Sequence, residues 1–156
     1  LGKTDPAVNR YFYEALAEEK QVRLQLTGAA EIIGDRLMLR RALSNLLSNA
    51  IRYTPPGEQV AVDIQGDLHG TTVDVVNTGP SIEAQMIPRL FDRFFRADKS
   101  RKQLDSDGAG LGLSITQAIV HAHRGRISVS SADGRTCFSM YFPSAQSIGK
   151  HLTTDA

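Results

Sequence analysis

The order of the alternating and helical apolar patterns is the feature that most limits how this sequence can fold. Apolar residues at every second position predict strands at 22–28, 60–64, 72–76, 127–129 and 136–142. The four strands after the first are predicted to form two hairpins. Stretches with helical spacing lie between the first strand and the first hairpin, and between the two hairpins. Hairpins interleaved with helices favour an α+β fold, a two-layer α/β sandwich in which helices cover one face of a mixed five-stranded sheet.

Capping and breaking residues bound the first two helices. Asp5-Pro6 combines an N-cap with a proline at the first helical position and predicts a helix to about Lys20. Asp35 is the predicted N-cap of a longer helix that runs to about Tyr53, where Pro55-Pro56-Gly57 stops it.

The remaining segments are shorter or polar. A short strand is predicted at 31–33, a short helix at 83–89 and a further helix at 111–122. Residues 97–108 contain almost no apolar side chain and predict a mobile loop, and the polar segment 144–156 predicts a flexible C-terminal tail. Residues 1–143 are therefore expected to form one domain.

Composition excludes several classes of protein. The 156 residues carry a formal net charge of +1 with dispersed lysines and arginines, so nothing supports binding to nucleic acid. No apolar run approaches the roughly 20 residues that a membrane span needs, so the chain itself is expected to be soluble. The single cysteine, Cys137, lies in an alternating segment and is interpreted as a strand residue, compatible with a reducing compartment.

The helix from Asp35 carries an unusual polar face. Asn45 and Asn49 are one turn apart beside an apolar stripe, and Arg41 and Arg52 continue the same face. Asparagine is a mediocre helix former, but its amide oxygen is a hard, neutral ligand that suits Mg²⁺. Spacing alone leaves two interpretations open, a magnesium ligand and a solvated polar face.

A glycine cluster at 108–113 opens the next helix. Glycines permit a tight turn, and the free N–H groups of a helix start attract phosphate oxygens, although a simple hinge explains the pattern as well. The dinucleotide-binding fingerprint is excluded because Leu113 stands where its third glycine is required. The Gly-Lys-Ser/Thr of a P-loop does not occur in the chain.

Taken together, five segments resemble, in order, the motifs of the catalytic domain of bacterial sensor histidine kinases. They are the N box at 43–55, the first glycine box at 77–82, the F box at 88–96, the second glycine box at 108–113, and a Gly-Thr-x-Phe segment at 134–138 followed by Phe142-Pro143. The resemblance covers nearly the whole chain and implies the Bergerat-type ATP-binding fold shared with gyrase and the heat-shock chaperone ATPase. The N and F boxes are most similar to those of heavy-metal (copper or silver) response sensor kinases.

The resemblance implies a role for individual residues in binding ATP and Mg²⁺. Asn49 matches the magnesium ligand, Asn45 the second N-box asparagine near the phosphates, and Arg93 and Arg96 match basic groups that reach the γ-phosphate or contact the helical domain. A solvated surface remains open for both of these arginines. The other expected nucleotide-binding residues are Arg52, Tyr53, Asn77, Gly79, Ile82, Gly108, Gly110, Leu111, Gly112, Leu113 and Thr136.

Three positions depart from the patterns of the family and its relatives. Asn77 stands where an aspartate usually reads adenine, so ATP is expected to bind roughly tenfold more weakly. Ser81 replaces the second glycine of the first glycine box. Asn45 stands where the related ATPases carry a glutamate that activates water, and a neutral amide cannot serve as a general base. The last substitution favours phosphoryl transfer to a protein over hydrolysis.

The expected function is therefore that of a protein-histidine kinase catalytic domain in a two-component system. The resemblance implies a phosphoacceptor histidine on a separate dimerisation domain, a response regulator downstream, and a place on the cytoplasmic side of an inner-membrane sensor. Because dimerisation belongs to that other domain, this chain is expected to be monomeric. His69, His121, His123 and His151 lack the setting of an acceptor and are interpreted as surface or helix-packing residues. Two alternatives stay open, a stand-alone serine kinase or anti-sigma factor of the same fold, and a degenerate module that binds a partner without ATP.

Overall fold

The computed structural model describes residues 2–3, 10–95 and 112–145. Within these ranges the helices are α1 (Arg10–Glu19), α2 (Arg36–Tyr53) and α3 (Gly112–Ala122). The strands are β1 (Gly2–Lys3), β2 (Arg23–Gly28), β3 (Ile33–Gly34), β4 (Gln59–Gly66), β5 (Gly70–Thr78), β6 (Arg126–Ala132) and β7 (Arg135–Pro143).

The main sheet has five strands in the order β2-β4-β5-β7-β6. Strand β2 runs parallel to β4, whereas every other neighbouring pair is antiparallel. The prediction of a mixed five-stranded sheet is therefore confirmed. A separate, short antiparallel pair joins β1 to β3.

The three helices pack on the apolar side of the sheet. Helix α1 contacts β2, α2 contacts β5, and α3 contacts β6 and β7, while α2 and α3 pack against each other. Along β4, β5 and β7 every second side chain is buried, which places the core between the two layers. Its most enclosed large side chains include Leu46, Leu47 and Ile51 of α2, and each such burial contributes about 1.5–3 kcal/mol.

Helix α2 begins and ends where its capping residues predict. The Asp35 side chain accepts a hydrogen bond from the Met38 N–H at 3.0 Å and thereby caps the N-terminus. At the other end the buried Thr54 hydroxyl donates to the Ala50 carbonyl at 2.6 Å, and Pro55 prevents continuation. These caps fix the register of the helix that carries Asn45 and Asn49.

Two predicted elements are wrong in extent. The helix expected at 83–89 is reduced to a 3-10 turn at Ile87–Arg89, since Pro88 lacks the N–H that an α-helix over 83–89 would need for its bond to the Ala84 carbonyl. The strand expected at 31–33 is a two-residue strand at Ile33–Gly34, which pairs with Gly2–Lys3.

Some predictions concern residues outside the described ranges. They are the helix start at Asp5-Pro6, the loop at 97–108 and most of the tail, residues 146–156. No helix within residues 10–95 and 112–145 combines the length and the apolar character needed to cross a membrane.

Candidate functional site

The two N-box asparagines lie on the polar side of α2, away from its buried residues. Asn45 and Asn49 are both half-buried, whereas Leu46, Leu47 and Ala50 between and beside them are buried. The Asn45 Nδ2 group donates a hydrogen bond to the Gly112 carbonyl oxygen at 3.3 Å. Because α3 begins at Gly112, this bond places the start of α3 beside the C-terminal half of α2.

Further contacts show that α3 runs antiparallel to α2. The fully buried Thr116 hydroxyl lies 3.4 Å from the Ala42 carbonyl, to which it donates. At the far end the Asp35 N–H donates to His123 Nε2 at 3.0 Å, and His123 Nδ1–H donates to the Ile119 carbonyl at 2.8 Å. Both ring nitrogens of His123 are therefore used in joining the end of α3 to the start of α2.

The carboxyl end of β5 forms the other side of the site. Asn77 is only 8% exposed and faces the helical layer, with Val60 and Thr136 as its cross-strand neighbours. Its side chain makes no hydrogen bond to any residue that the structure describes, yet its amide atoms are not sealed from solvent. Buried amides are normally paired, so this one is available to a ligand.

Gly79 brings the segment after β5 against the end of α2. Its φ is +135°, a conformation open to glycine, and an added Cβ would lie 2.8 Å from Pro55 Cδ. A side chain at this position would therefore separate Asn77 and Gly79 from the residues that end α2. The close approach explains why the first glycine of this box is required.

Hydrogen bonds fasten residues 79–82 to the β6–β7 hairpin. The Gly79 N–H donates to the Gly134 carbonyl at 2.9 Å, and the Gly134 N–H donates back to Ser81 Oγ at 3.0 Å. Ser81, which departs from the glycine of the motif, thus contributes a hydroxyl that glycine could not supply. We refer to this part of the site as its base end, after the nucleobase that the family resemblance implies there. It comprises Asn77, Gly79, Ser81, Ile82 and the hairpin residues Ser131, Gly134 and Thr136.

A second set of bonds completes the base end. The Ile82 N–H donates to Ser131 Oγ at 2.8 Å, and Ser131 Oγ lies 2.6 Å from Thr136 Oγ1. Thr136 is buried beside Asn77 on the neighbouring strand. Sequence reasoning named Thr136 and Ile82 but missed Ser131, which carries no motif signal because its role arises from the hairpin register.

The other expected site residues differ in how far they are buried. At the end of α2, Arg52 is half-buried and Tyr53 is 38% exposed. Leu113 is half-buried and packs against the core. Arg93 is exposed, with its guanidinium 5.4 Å from the Phe94 ring centroid. Arg96, Gly108, Gly110 and Leu111 lie outside the described ranges.

The aromatic residues of the F box divide between core and surface. Phe91 packs edge-to-face on Phe138 with ring centroids 6.3 Å apart, and Phe95 also contacts the core. Phe94 is 65% exposed and has a positive φ of 66°. Core packing thus accounts for two of the three phenylalanines.

The donor set fits a metal ion that arrives with a phosphate. Among the described residues no group of three or more histidine, cysteine, aspartate or glutamate side chains could hold a metal. The amide oxygens of Asn45 and Asn49 are neutral atoms of the kind that Mg²⁺ accepts, and Mg²⁺ commonly takes one or two protein ligands together with phosphate oxygens and waters.

The pKa of Cys137 is raised by burial and by the nearby Asp74 carboxylate, so this thiol stays protonated at neutral pH.

Comparison with known proteins identifies the family. Residues 34–146 match the model of the histidine kinase-, DNA gyrase B- and HSP90-like ATPases, and the chain belongs to this family. Members bind ATP, and within the family the chain is a catalytic domain of the sensor histidine kinase type. The predicted fold and family are thus both confirmed.

Individual relatives narrow the assignment. The chain is 51% identical over 133 residues to the sensor histidine kinase CusS of Escherichia coli O157:H7, an alignment that covers 85% of this chain and 27% of CusS. The mycobacterial sensor histidine kinase MprB superposes with a TM-score of 0.77 at 28% identity, covering 91% of this chain and 97% of the MprB chain. Full-length ShkA in complex with AMPPNP gives a TM-score of 0.69 at 26% identity, covering 86% of this chain and 28% of ShkA.

These relatives include the heavy-metal sensor kinases that the N and F boxes indicated. The chain spans about a quarter of the length of the curated relatives that it matches.

Proposed function

We propose that this chain binds ATP with Mg²⁺ and donates the γ-phosphoryl group to a histidine on a separate dimerisation and phosphoacceptor domain. The observation that carries the proposal is the convergence of three elements on the C-terminal half of α2. Asn45 of α2 contacts the start of α3 at Gly112, Gly79 after β5 contacts Pro55, and the buried amide of Asn77 faces the same layer without a partner among the described residues. The related ShkA has been seen with AMPPNP.

The polar groups divide between the two ends of a nucleotide. At one end the Asn77 amide meets the base, Tyr53 lines it, and Gly79 allows its close approach. At the other end the first N–H groups of α3 favour phosphate oxygens, because a helix N-terminus carries partial positive charge. Asn49 supplies an oxygen to Mg²⁺, which neutralises phosphate charge when bound.

The remaining assignments extend this division. Asn45 and Arg52 lie on the α2 face that carries Asn49, and we assign them to the phosphates. Arg93 and Arg96 are proposed to contact the γ-phosphate or the phosphoacceptor domain. Proposed nucleotide contacts in the glycine boxes and the last motif are those of Ile82, Gly108, Gly110, Leu111, Gly112, Leu113 and Thr136.

Asn45 favours phosphoryl transfer over hydrolysis. Its Nδ2 group donates to the Gly112 carbonyl, so its amide is oriented by α3 and carries no basic atom for a water molecule. Phosphoryl transfer itself requires mainly positioning and charge stabilisation, which Mg²⁺, the helix start and the arginines would provide. ATP is thereby spared for a protein acceptor.

We further infer the setting of the whole protein from the length of its relatives. Residues 1–143 form the ATP-binding domain of a longer sensor kinase located in the inner membrane, with this domain on the cytoplasmic side. A response regulator receives the phosphoryl group from the phosphohistidine. The domain alone is monomeric because dimerisation belongs to the phosphoacceptor domain.

Nucleotide binding is tested by calorimetric titration with ATP in the presence and absence of Mg²⁺. Asn49→Ala should weaken Mg²⁺-dependent binding by about 10- to 100-fold, the effect of losing one contact to a charged group. Arg41→Ala is the matched control, since Arg41 is exposed on the same side of α2, two turns earlier. Equal affinities of both variants and the unaltered chain would contradict the assignment of Asn49.

Phosphoryl transfer is tested by supplying a helical phosphoacceptor hairpin as a separate chain with γ-labelled ATP. The expected product is a phosphate on the hairpin that acid removes and base does not. A label that survives acid, on serine, would favour the stand-alone serine kinase. An absence of Mg²⁺-dependent nucleotide binding would favour the degenerate module.

A further inference from the structure

We propose that Asn77 relaxes the choice of nucleobase, so that this domain accepts guanine nucleotides at an affinity within about tenfold of that for adenine nucleotides. This inference rests on the proposed function, because it requires the site to hold a nucleoside triphosphate. It concerns one side chain at the base end and the hydrogen-bonding pattern that this side chain offers.

Asn77 is more than nine-tenths buried on the helical side of β5. Its amide atoms are not among the described side-chain atoms that are sealed from solvent without a hydrogen-bond partner. No described residue accepts or donates a hydrogen bond to that amide. A ligand that excludes water from this place must therefore satisfy the amide itself, or binding is penalised.

The hydrogen-bonding chemistry of the Asn77 amide differs from that of a carboxylate. Asparagine carries one acceptor oxygen and one donor nitrogen, whereas an aspartate at neutral pH accepts only. Adenine presents an exocyclic amino donor at the position where guanine presents a carbonyl acceptor. The Asn77 oxygen matches the first base, and after a half-turn of the terminal torsion its nitrogen matches the second.

The Asn77 amide is free to turn about its terminal torsion. The terminal torsion of asparagine is broad and roughly two-fold, so rotation itself costs little. Of the two cross-strand neighbours, Val60 offers no hydrogen-bonding side chain, and Thr136 makes its bond to Ser131. The described surroundings thus fix neither orientation of the Asn77 amide.

The hydroxyl groups of Ser131 and Thr136 can likewise act as donor or as acceptor. Ser131 Oγ accepts from the Ile82 N–H, and in the Ser131–Thr136 pair either hydroxyl can be the donor. The pair can reverse its direction without moving a heavy atom, so the Thr136 hydroxyl is able to donate or to accept. The ring nitrogen next to the exocyclic group accepts in adenine and donates in guanine, and a reversible hydroxyl suits both, directly or through a water molecule.

The test compares MgATP and MgGTP by calorimetry on the unaltered chain and on Asn77→Asp. In the unaltered chain the two dissociation constants should agree within about tenfold. In Asn77→Asp the ATP affinity should rise about tenfold and the GTP affinity should fall by a similar factor, because a carboxylate faces the guanine carbonyl oxygen. The preference for ATP should therefore grow on the order of 100-fold.

The outcomes separate the inference from the function that it presupposes. A preference for ATP above about 100-fold in the unaltered chain would overturn the inference while leaving nucleotide binding intact, as would an unchanged preference in a folded Asn77→Asp variant. Binding of neither nucleotide would overturn the proposed function as well. The measurement on the unaltered chain does not depend on any variant folding.

Discussion

The base end of the site and the start of α3 are fastened by hydrogen bonds of different lengths. At the base end, residues 79–82 are joined to the β6–β7 hairpin by three hydrogen bonds of 2.8–3.0 Å. At the proposed phosphate end, where α3 starts beside Asn45, the Asn45 side chain donates to the Gly112 carbonyl oxygen at 3.3 Å. The described bonds are therefore shorter at the base end than at the phosphate end.

The same helix α3 is held more firmly away from the site. There the N–H of Asp35, the N-cap of α2, donates to His123 Nε2, and His123 Nδ1–H donates to the Ile119 carbonyl. Gly34 leaves room for this ring, since an added Cβ would lie 2.3 Å from His123 Cδ2. Helix α3 is therefore anchored to the start of α2 through both nitrogens of this ring.

The largest effect on this contrast is expected from Gly79→Ala. A side chain there must adopt a φ of +135° and displace Pro55, so the free energy of unfolding should fall by about 1–3 kcal/mol and nucleotide affinity should fall with it. Urea unfolding measures the first quantity. Gly57→Ala is the matched control, because Gly57 also has a positive φ of 87° but nothing within 4 Å of an added Cβ. An equal loss in both variants would show that backbone strain alone, and not the contact with α2, requires glycine at 79.

A smaller but distinct loss is expected from Ser131→Ala. The substitution leaves the Ile82 N–H and the Thr136 hydroxyl without their shared partner, which should lower the free energy of unfolding by about 1–2 kcal/mol. Ser130→Ala, at an exposed position of the same strand, should change it by less than about 0.5 kcal/mol. Equal stabilities of the two variants would mean that the base end is not fastened through Ser131.

At the phosphate end, Asn45→Ala should cost less stability than Ser131→Ala. The bond that it removes is long and only partly buried, and water can hydrate the Gly112 carbonyl, so the expected loss is about 0.5 kcal/mol. Hydrogen exchange should nevertheless become faster in the first turn of α3 and remain unchanged near His123. A loss as large as that of Ser131→Ala would contradict the smaller contribution expected of this bond.

Much of the fold was predictable because its elements carry local signals. Asp35 and Pro55 bound α2, and the alternation in β4, β5 and β7 marks one buried face. The segment 83–89 misled because its spacing favoured a helix, whereas Pro88 limits it to a 3-10 turn. Local pattern and proline chemistry competed there, and the proline decided the outcome.

The site was predictable in its motifs and less so in its connections. Asn45 and Asn49 were named because they match the N box, and Asn77 because it occupies the aspartate position of the first glycine box. Asn77 does lie buried at the end of β5. The roles of Ser131, Ser81 and His123 depend on contacts between residues 5 to 88 positions apart. No local pattern encodes such pairs, so sequence reasoning gave His123 only a general packing role.

The smallest effect is expected far from both ends, in the β4–β5 turn. The Asp67 carboxylate accepts from the N–H groups of His69 and Gly70, which lowers its pKa below the ordinary value. The contribution of this charge to stability is therefore present above the unfolded-state pKa of about 3.9 and is lost as pH falls through the lower folded-state value. Asp67→Asn keeps an acceptor oxygen but removes the titration, so melting temperatures of the two chains should differ little below that pH range and by a small, constant amount above it.

The matched control is Asp63→Asn. In the unaltered chain the Asp63 carboxylate accepts from the side-chain amide of Gln65 instead of from the backbone. If Asp67→Asn measurably changed nucleotide affinity, the turn would not be independent of the base end.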